Sequence, residues 1–459
     1  MSKRKIEQYQ DMIARLYPEL GRQDNPEIDN EEKILSRTVT FQVTDDCNLA
    51  CKYCYQVNKG KRRMSLDTAK KFVDLLLTGD KGMKEYLHPE NSPALIVEFI
   101  GGEPFLEIDL IDQICDYLFD RMVEMDHKWL TMYTISICSN GVLYFDSKVQ
   151  RFLNKHKNHI SFSITIDGNK ELHDSCRVFH DGSPSYDIAV AGAQDWMNQG
   201  NYMGSKITIA PGNVDYLFDA IVHMIDLGYE DINANTVYEK GWDLNLARKY
   251  YDQLIKIADY LIDKELYDDI FISLFSDDFF CPKLEIENEN WCGGTGLMLS
   301  CDPDGYLYPC IRYMESSLGS LREPYCIGNV NEGIGLKEDD IQRIKCLNCI
   351  TRRTQSSDKC FYCPIANGCS WCSAYNYQEL GTANARVDYS CIMHKARALA
   401  NAYYYSKVYQ KKGINKIYKL YLPDSESLQI ISKEELNTIK NNSNIEYVTD
   451  YETYFIDNE

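Results

Sequence analysis

No run of about eighteen apolar residues, the length a membrane-crossing helix needs, occurs in the chain. The opening residues, MSKRKIEQ, hold no apolar core of the secretory kind, so a cytoplasmic location and no membrane partner are expected. Positive charge is scarce as well, with 49 Lys and Arg against 69 Asp and Glu and a formal net charge of −20. That balance repels phosphate backbones and anionic lipid headgroups, which argues against a nucleic-acid partner. The stretch Lys59, Lys61, Arg62, Arg63 is the strongest local exception, and it reads as a solvated loop. A phosphate-cradling loop is missing too, because no Lys-Ser/Thr follows Gly293, Gly294 and Gly296. Charged and apolar residues are mixed throughout, and a hydrophobic content of 44% allows a sizeable core.

What the chain has in quantity is cysteine, eighteen residues of it. In a long cytosolic chain, clustered cysteines argue for metal or redox sites rather than structural disulfides. The compact group is CNLACKYC, where Cys47, Cys51 and Cys54 have the spacing C-x3-C-x2-C directly after an extended run, Arg37 to Val43. An iron–sulfur cube takes four cysteines as a rule, so a set of three leaves one iron free to bind something else. Zinc is the competing reading, but structural zinc sites pair their knuckles to close four ligands. The next cysteine here is as distant as Cys115.

From Thr38 onward strand-like and helix-like segments alternate. Strands are expected near 37–43, 94–100, 132–138, 160–166, 205–210 and 232–237. Helices are expected near 65–78, 107–125, 145–157, 186–199 and 213–227, with one more near 245–264 and an N-terminal one over 4–20. Six βα repeats predict an α/β fold, a partial (β/α)6 TIM-like barrel with its functional residues at the carboxyl ends of the strands. The conspicuous motifs fall there: GGEP at Gly101 to Pro104, SNG at Ser139 to Gly141, TIDG at Thr165 to Gly168, then His173, Asp174 and Arg177 in ELHDSCR. Paired glycines let backbone pass close to a ligand, Glu103 offers a charged acceptor, and Arg177 offers a fork for a carboxylate. Arg177 reads equally as a surface ion pair, and Cys138 and Cys176 as core or incidental thiols.

The composition then changes, with twelve of the eighteen cysteines between Cys281 and Cys391. One segment reads C-x12-G-x4-C from Cys292 through Gly305 to Cys310, and another C-x2-C-x5-C-x2-C through Cys360, Cys363, Cys369 and Cys372. Two C-x2-C pairs could alternatively bind one zinc.

CNLACKYC, followed by GGEP at the next strand end, resembles the signature of the radical S-adenosylmethionine enzymes. The resemblance implies a [4Fe–4S] cluster on Cys47, Cys51 and Cys54 whose open iron chelates S-adenosylmethionine, and a 5′-deoxyadenosyl radical as the reactive species. It also implies that the cofactor is held by Tyr53, Gly101, Gly102, Glu103, Ser139, Thr165, Asp167 and Arg177. The second cysteine region resembles the SPASM extension of peptide-modifying members, which carries two auxiliary [4Fe–4S] clusters with crossed ligands. By that pattern Cys292, Cys310 and Cys372 serve one cluster and Cys360, Cys363, Cys369 and Cys391 the other. Cys281 or Cys301 would be a fourth ligand for the first, whereas Cys346 and Cys349 have no place in the pattern. The spacing of two residues between Cys369 and Cys372, where the family has three, departs from it.

The domains implied are an N-terminal helix and linker over 1–36, the barrel over 37–270, the SPASM region over 271–400 and a C-terminal helix and small tail over 401–459. GCSWCSAYNYQELGT and CIMHKARALAN look most like a subgroup whose peptide targets contain Cys-x-x-x repeats. The expected function is maturation of a ribosomally made, cysteine-rich precursor peptide by thioether crosslinking, with an electron donor such as a flavodoxin or ferredoxin. A sulfatase-maturating, formylglycine-forming enzyme is the second reading; those enzymes place Asp after the cysteine of G-x4-C, where this chain has Ile311. An iron–sulfur electron carrier or a zinc-dependent interaction protein is the third.

Overall fold

A computed structural model describes residues 36–290 and 292–448, so the helix expected over 4–20 lies outside the described residues. Four parallel strands, β1 (Ser36–Gln42), β2 (Ala94–Ile100), β3 (Tyr133–Ser139) and β4 (Ile160–Ile164), form the curved wall of the barrel. β2, β3 and β4 alternate between buried and more open positions, whereas β1 is buried on both faces from Val39 to Gln42. Val39, Phe41, Leu95, Val97, Phe99, Ile135, Ile137, Phe162 and Ile164 are buried against the helices. They pack on α1 (Leu66–Thr78), α2 (Ile108–Glu124), α3 (Ser147–His156) and α5 (Tyr186–Asn198), which follows the short α4 (Lys170–Cys176). Phe41 lies 4.8 Å from Phe72 of α1, and Phe162 lies 5.2 Å from Trp196 of α5.

The opposite face is polar. Across one level of the sheet the register lines up Thr40, Glu98, Ser136 and Ser161. A parallel sheet buried on both faces carries continuous apolar runs, so this alternation marks an inner face in contact with water. Cys138 and Ser161 are exposed there. Cys138 is therefore a lumen thiol, and the core reading of it is corrected.

Beyond β4 the wall is not one ladder. β5 (Ile207–Ile209) pairs with β7 (Ala234–Thr236), and β6 (Asp231–Ile232) pairs with β8 (Phe271–Ile272). The single strand expected near 232–237 is split because Asn233 turns aside, its N–H donating to Ser205 Oγ at 3.2 Å. The Asp167 carboxylate lies near the Thr208 backbone across this opening. Helices α6 (Leu217–Asp226) and α7 (Leu244–Asp263) cover this side.

The cysteine-rich segment is built into the barrel sheet. Strand β9 (Met298–Cys301) runs parallel to β1 on its free edge, and β10 (Tyr306–Tyr308), β11 (Gly328–Asn329) and β12 (Gly333–Ile334) continue it antiparallel, giving an eight-stranded sheet. Two further helices, α8 (Glu338–Asn348) and α9 (Ser373–Leu380), precede α10 (Cys391–Lys412), which packs along α7. After it, β13 (Tyr418–Leu420), α11 (Lys433–Lys440) and β14 (Ile445–Tyr447) close the described chain. No helix among the described residues is long and apolar enough to cross a membrane.

Arg62 pins the cysteine loop to the β9–β10 turn. Its guanidinium reaches Asp45 at 2.6 Å and Asp304 at 2.8 Å, with Glu315 at 3.6 Å and Asp302 at 3.8 Å. The basic stretch is thus partly a clamp, and the solvated-loop reading is corrected for Arg62. Burial pushes the Asp302 carboxyl from 3.8 up to about 6, outweighing the Tyr306 N–H and the Arg62 charge. The folded state holds this proton to higher pH than the unfolded chain does, so stability from this group is full below 3.8 and is lost as pH rises through about 6. Asp302→Asn keeps an acceptor for the backbone donors. Its stability relative to the parent is expected to rise by on the order of 2 kcal/mol across that window, measured from denaturant midpoints at each pH.

Candidate functional site

The loop after β1 is held on three sides. Thr44 Oγ1 accepts from Asp46 N at 3.0 Å, and Asp46 Oδ1 accepts from Cys47 N at 2.9 Å. Ala50 N and Lys52 N donate to Val178 O and Cys176 O at 2.8 and 3.0 Å, and His180 Nε2 donates to Cys47 O at 2.8 Å. The GGEP turn completes the grip, with Gly102 N donating to Thr44 O at 3.1 Å and Glu103 N to Asp46 O at 2.9 Å. Gly102 is required by this approach: a Cβ there would stand 2.3 Å from Asp46 O and 2.6 Å from Cys47 Cβ.

Burial pushes the Cys47 thiol up to about 11 and raises Cys51 as well. Holding these groups as thiolates therefore needs a strong positive charge beside them, which a metal centre supplies. A tetrahedral zinc would hold its sulfurs about 3.8 Å apart, but no three cysteine sulfurs among the described residues fall within 4.8 Å of one another.

Glu103 is the joint between strand ends. Its carboxylate is 1% exposed and accepts from Ser139 Oγ at 2.8 Å, Asn140 N at 2.9 Å and Phe105 N at 3.1 Å. Burial still raises its pKa above the ordinary value, despite those donors. Three of about four acceptor positions on a carboxylate are thus used inside the protein, leaving one for a ligand's ammonium group. Asn140 Nδ2 then donates to Asn48 Oδ1 at 2.6 Å, and Gln56 Nε2 donates to Gly101 O at 3.0 Å. Asn48, Gln56, Asn140 and His180 were not singled out from the sequence; Asn140 sits within the flagged SNG turn, and the other three carry no local signal.

Tyr53, Asp167 and Arg177 come together. The Tyr53 hydroxyl donates to Asp167 Oδ2 and accepts from Arg177 Nη1 at 2.6 Å, with Arg177 and Asp167 3.9 Å apart. Burial raises the Asp167 pKa, outweighing the Arg177 charge. Asp167 Oδ1 and Arg177 Nε are buried with no hydrogen-bond partner among the described residues. A buried acceptor and donor left unpaired beside the loop fit a small polar ligand that satisfies both. Thr165 Oγ1 lies 3.3 Å from Cys138 Sγ on the lumen side.

The later cysteines fall into two sets. Cys310 is influenced by Cys372 and Cys292, and a Cβ on Gly294 would meet Cys310 Sγ at 3.1 Å and Cys292 Sγ at 3.5 Å. Cys363 is influenced by Cys369, Cys391 and Cys360, and burial pushes its thiol up to about 12. Arg386 Nη2 donates to Cys369 Sγ at 2.6 Å and stacks on Trp371 at 4.1 Å. Cys301 is buried on β9 and donates to Asp302 O, while Cys281 contacts Asp278 O and Asn367. Cys346 and Cys349 are exposed at the end of α8.

A family model described as a 4Fe-4S single cluster domain matches residues 36–180. The radical SAM cyclopropyl synthase TigE of Paramaledivibacter caminithermalis is 22% identical over 360 residues, covering 73% of this chain and 67% of that protein. The serine-type anaerobic sulfatase-maturating enzyme of Bacteroides thetaiotaomicron is 23% identical over 310 residues, covering 60% of this chain and 69% of that protein. Among solved structures, native anSMEcpe with bound AdoMet and Kp18Cys peptide shares the fold, with a TM-score of 0.58 and 16% identity over 82% of this chain and 99% of that one. Loop, strand-end shelf and these likenesses together define an iron–sulfur enzyme on a partial barrel. The chain is similar to radical S-adenosylmethionine enzymes over most of its length.

Gly102→Ala is expected to cost about 1–3 kcal/mol through overpacking and to lower iron and sulfide incorporation at the loop. Gly212→Ala, with nothing within 4 Å of its Cβ, is the control. Iron content and electron paramagnetic resonance of the reduced proteins with S-adenosylmethionine check this.

Proposed function

We propose that this enzyme matures a ribosomally made, cysteine-rich peptide by joining cysteine sulfur to carbon. Cys47, Cys51 and Cys54 would hold the cluster that binds S-adenosylmethionine, with Tyr53, Gly101, Gly102, Glu103, Ser139, Thr165, Asp167 and Arg177 around the cofactor. Bound there, the pair supplies a 5′-deoxyadenosyl radical able to take hydrogen from carbon. The sets Cys292, Cys310, Cys372 and Cys360, Cys363, Cys369, Cys391 would hold auxiliary clusters, and a flavodoxin or ferredoxin would supply electrons.

The observation that carries this reading is the position of Arg312. Its guanidinium lies 5.5 Å from the Tyr55 ring, next to Cys54, and its strongest thiol neighbour is Cys372. That neighbourhood supports a reading in which a substrate side chain meets both the radical loop and the first auxiliary set. The formylglycine reading is weaker, because Ile311 stands where that chemistry places its acid. An electron-carrier role gives no reason for the Glu103 joint or the open lumen.

Cleavage of S-adenosylmethionine to 5′-deoxyadenosine is expected from the anaerobic, reduced protein. With a synthetic peptide of Cys-x-x-x units, mass spectrometry is expected to register loss of a pair of hydrogens per crosslink and loss of thiol alkylation. Cysteines that stay alkylatable after turnover would overturn the thioether assignment.

A further inference from the structure

Crosslinking a thiol to carbon releases a proton, and the carboxylates near the lumen differ in their freedom to receive it. Glu103 is enclosed by its three donors, and Asp167 is engaged by Tyr53 and Arg177. Glu239, beyond β7, is ion-paired with Arg312 at 3.1 Å. Glu98 is different. It sits on the inner face of β2, three residues before the GGEP turn, about 10 Å along the strand. Its Oε2 accepts from Thr40 Oγ1 at 2.7 Å, and no ion pair reaches it among the described residues. The groups that share its space are Thr40 on β1, Cys138 on β3, and Tyr55 and Arg312 at the mouth, all acting with Glu98 on the same region around the Tyr55 hydroxyl or bonded to it directly.

We propose that Glu98 is the catalytic base that takes the thiol proton of the substrate cysteine. The assignment rests on the peptide-crosslinking reading above. In the overall step the C–H hydrogen atom leaves for the cofactor-derived radical, the S–H proton goes to Glu98, and the C–S bond forms. The one remaining electron goes to an oxidised iron–sulfur cluster, the acceptor the step requires. As carbon bonds to sulfur the S–H proton becomes strongly acidic, and a carboxylate within reach can accept it. A half-buried carboxylate with one neutral hydrogen bond keeps its second oxygen available for this task.

The test compares Glu98→Gln with the parent, cluster-loaded and anaerobic, on a synthetic Cys-x-x-x peptide. Glu98→Gln is expected to lower the crosslinking rate roughly 10²-fold near neutral pH. The deficit should shrink as pH approaches the thiol's own pKa of about 8.5, where solvent can remove the proton. Thr40→Val, which removes the hydroxyl that orients Glu98, should slow crosslinking less than Glu98→Gln does. A readout independent of turnover is the alkylation of Cys138, followed by site-resolved mass spectrometry. Bound peptide should protect it equally in the parent and in Glu98→Gln. An unchanged rate and pH profile in Glu98→Gln would overturn the proposal, and so would loss of Cys138 protection, which makes Glu98 a binding group. If the parent itself cleaves S-adenosylmethionine but leaves the peptide thiols intact, it is the crosslinking reading that fails.

Discussion

A parallel sheet gains most of its stability by burying both faces, and β2–β4 bury only one. The inner positions Glu98, Ser136 and Ser161 are not fully buried, because the helices pack on the outer positions such as Val97, Ile135 and Phe162. This arrangement places the reactive loop at the rim of a polar cavity instead of over a packed core. Radical chemistry at such a rim needs a floor that carries protons and hydroxyls, and the alternation of the strands provides one.

The rim is made rigid by a small number of buried polar joints. Glu103 ties the second strand end to the third, Asp167 and Tyr53 tie the fourth to the cysteine loop, and Arg62 ties that loop to the β9–β10 turn. Each joint removes a charge from water, which is expensive unless it is well bonded. Their concentration around one loop, with apolar packing elsewhere, identifies where geometry matters most in this molecule.

Much of this was legible in the sequence, and for physical reasons. Runs of β-branched and apolar residues located β1 to β4 within a residue or two, and the helices between them have caps such as Ser65 and Asp146 at their starts. The split of the strand near 232–237 was not legible, because it depends on Ser205 taking the Asn233 N–H from a distant segment. The grouping of cysteines followed from spacing and resemblance, and the structure brings each proposed set together. Glu98 escaped notice because one acid in an apolar strand, ALIVEFI, has meaning only when the facing strands show that it points into the lumen. Arg62 was misjudged since its partners Asp302, Asp304 and Glu315 are remote in sequence.

The parallel ladder between β9 and β1 changes what kind of object the cysteine-rich region is. It joins Thr38, Val39, Thr40 and Phe41 to Met298, Leu299, Ser300 and Cys301, so β1 lies in the interior of the sheet only when both parts of the chain are present. Separated from the later segment, the barrel would carry an unpaired, apolar edge next to its most reactive loop, an invitation to intermolecular pairing. The two regions are therefore halves of one folding unit and not interchangeable modules, and recombination between relatives has to carry both sides of that seam together.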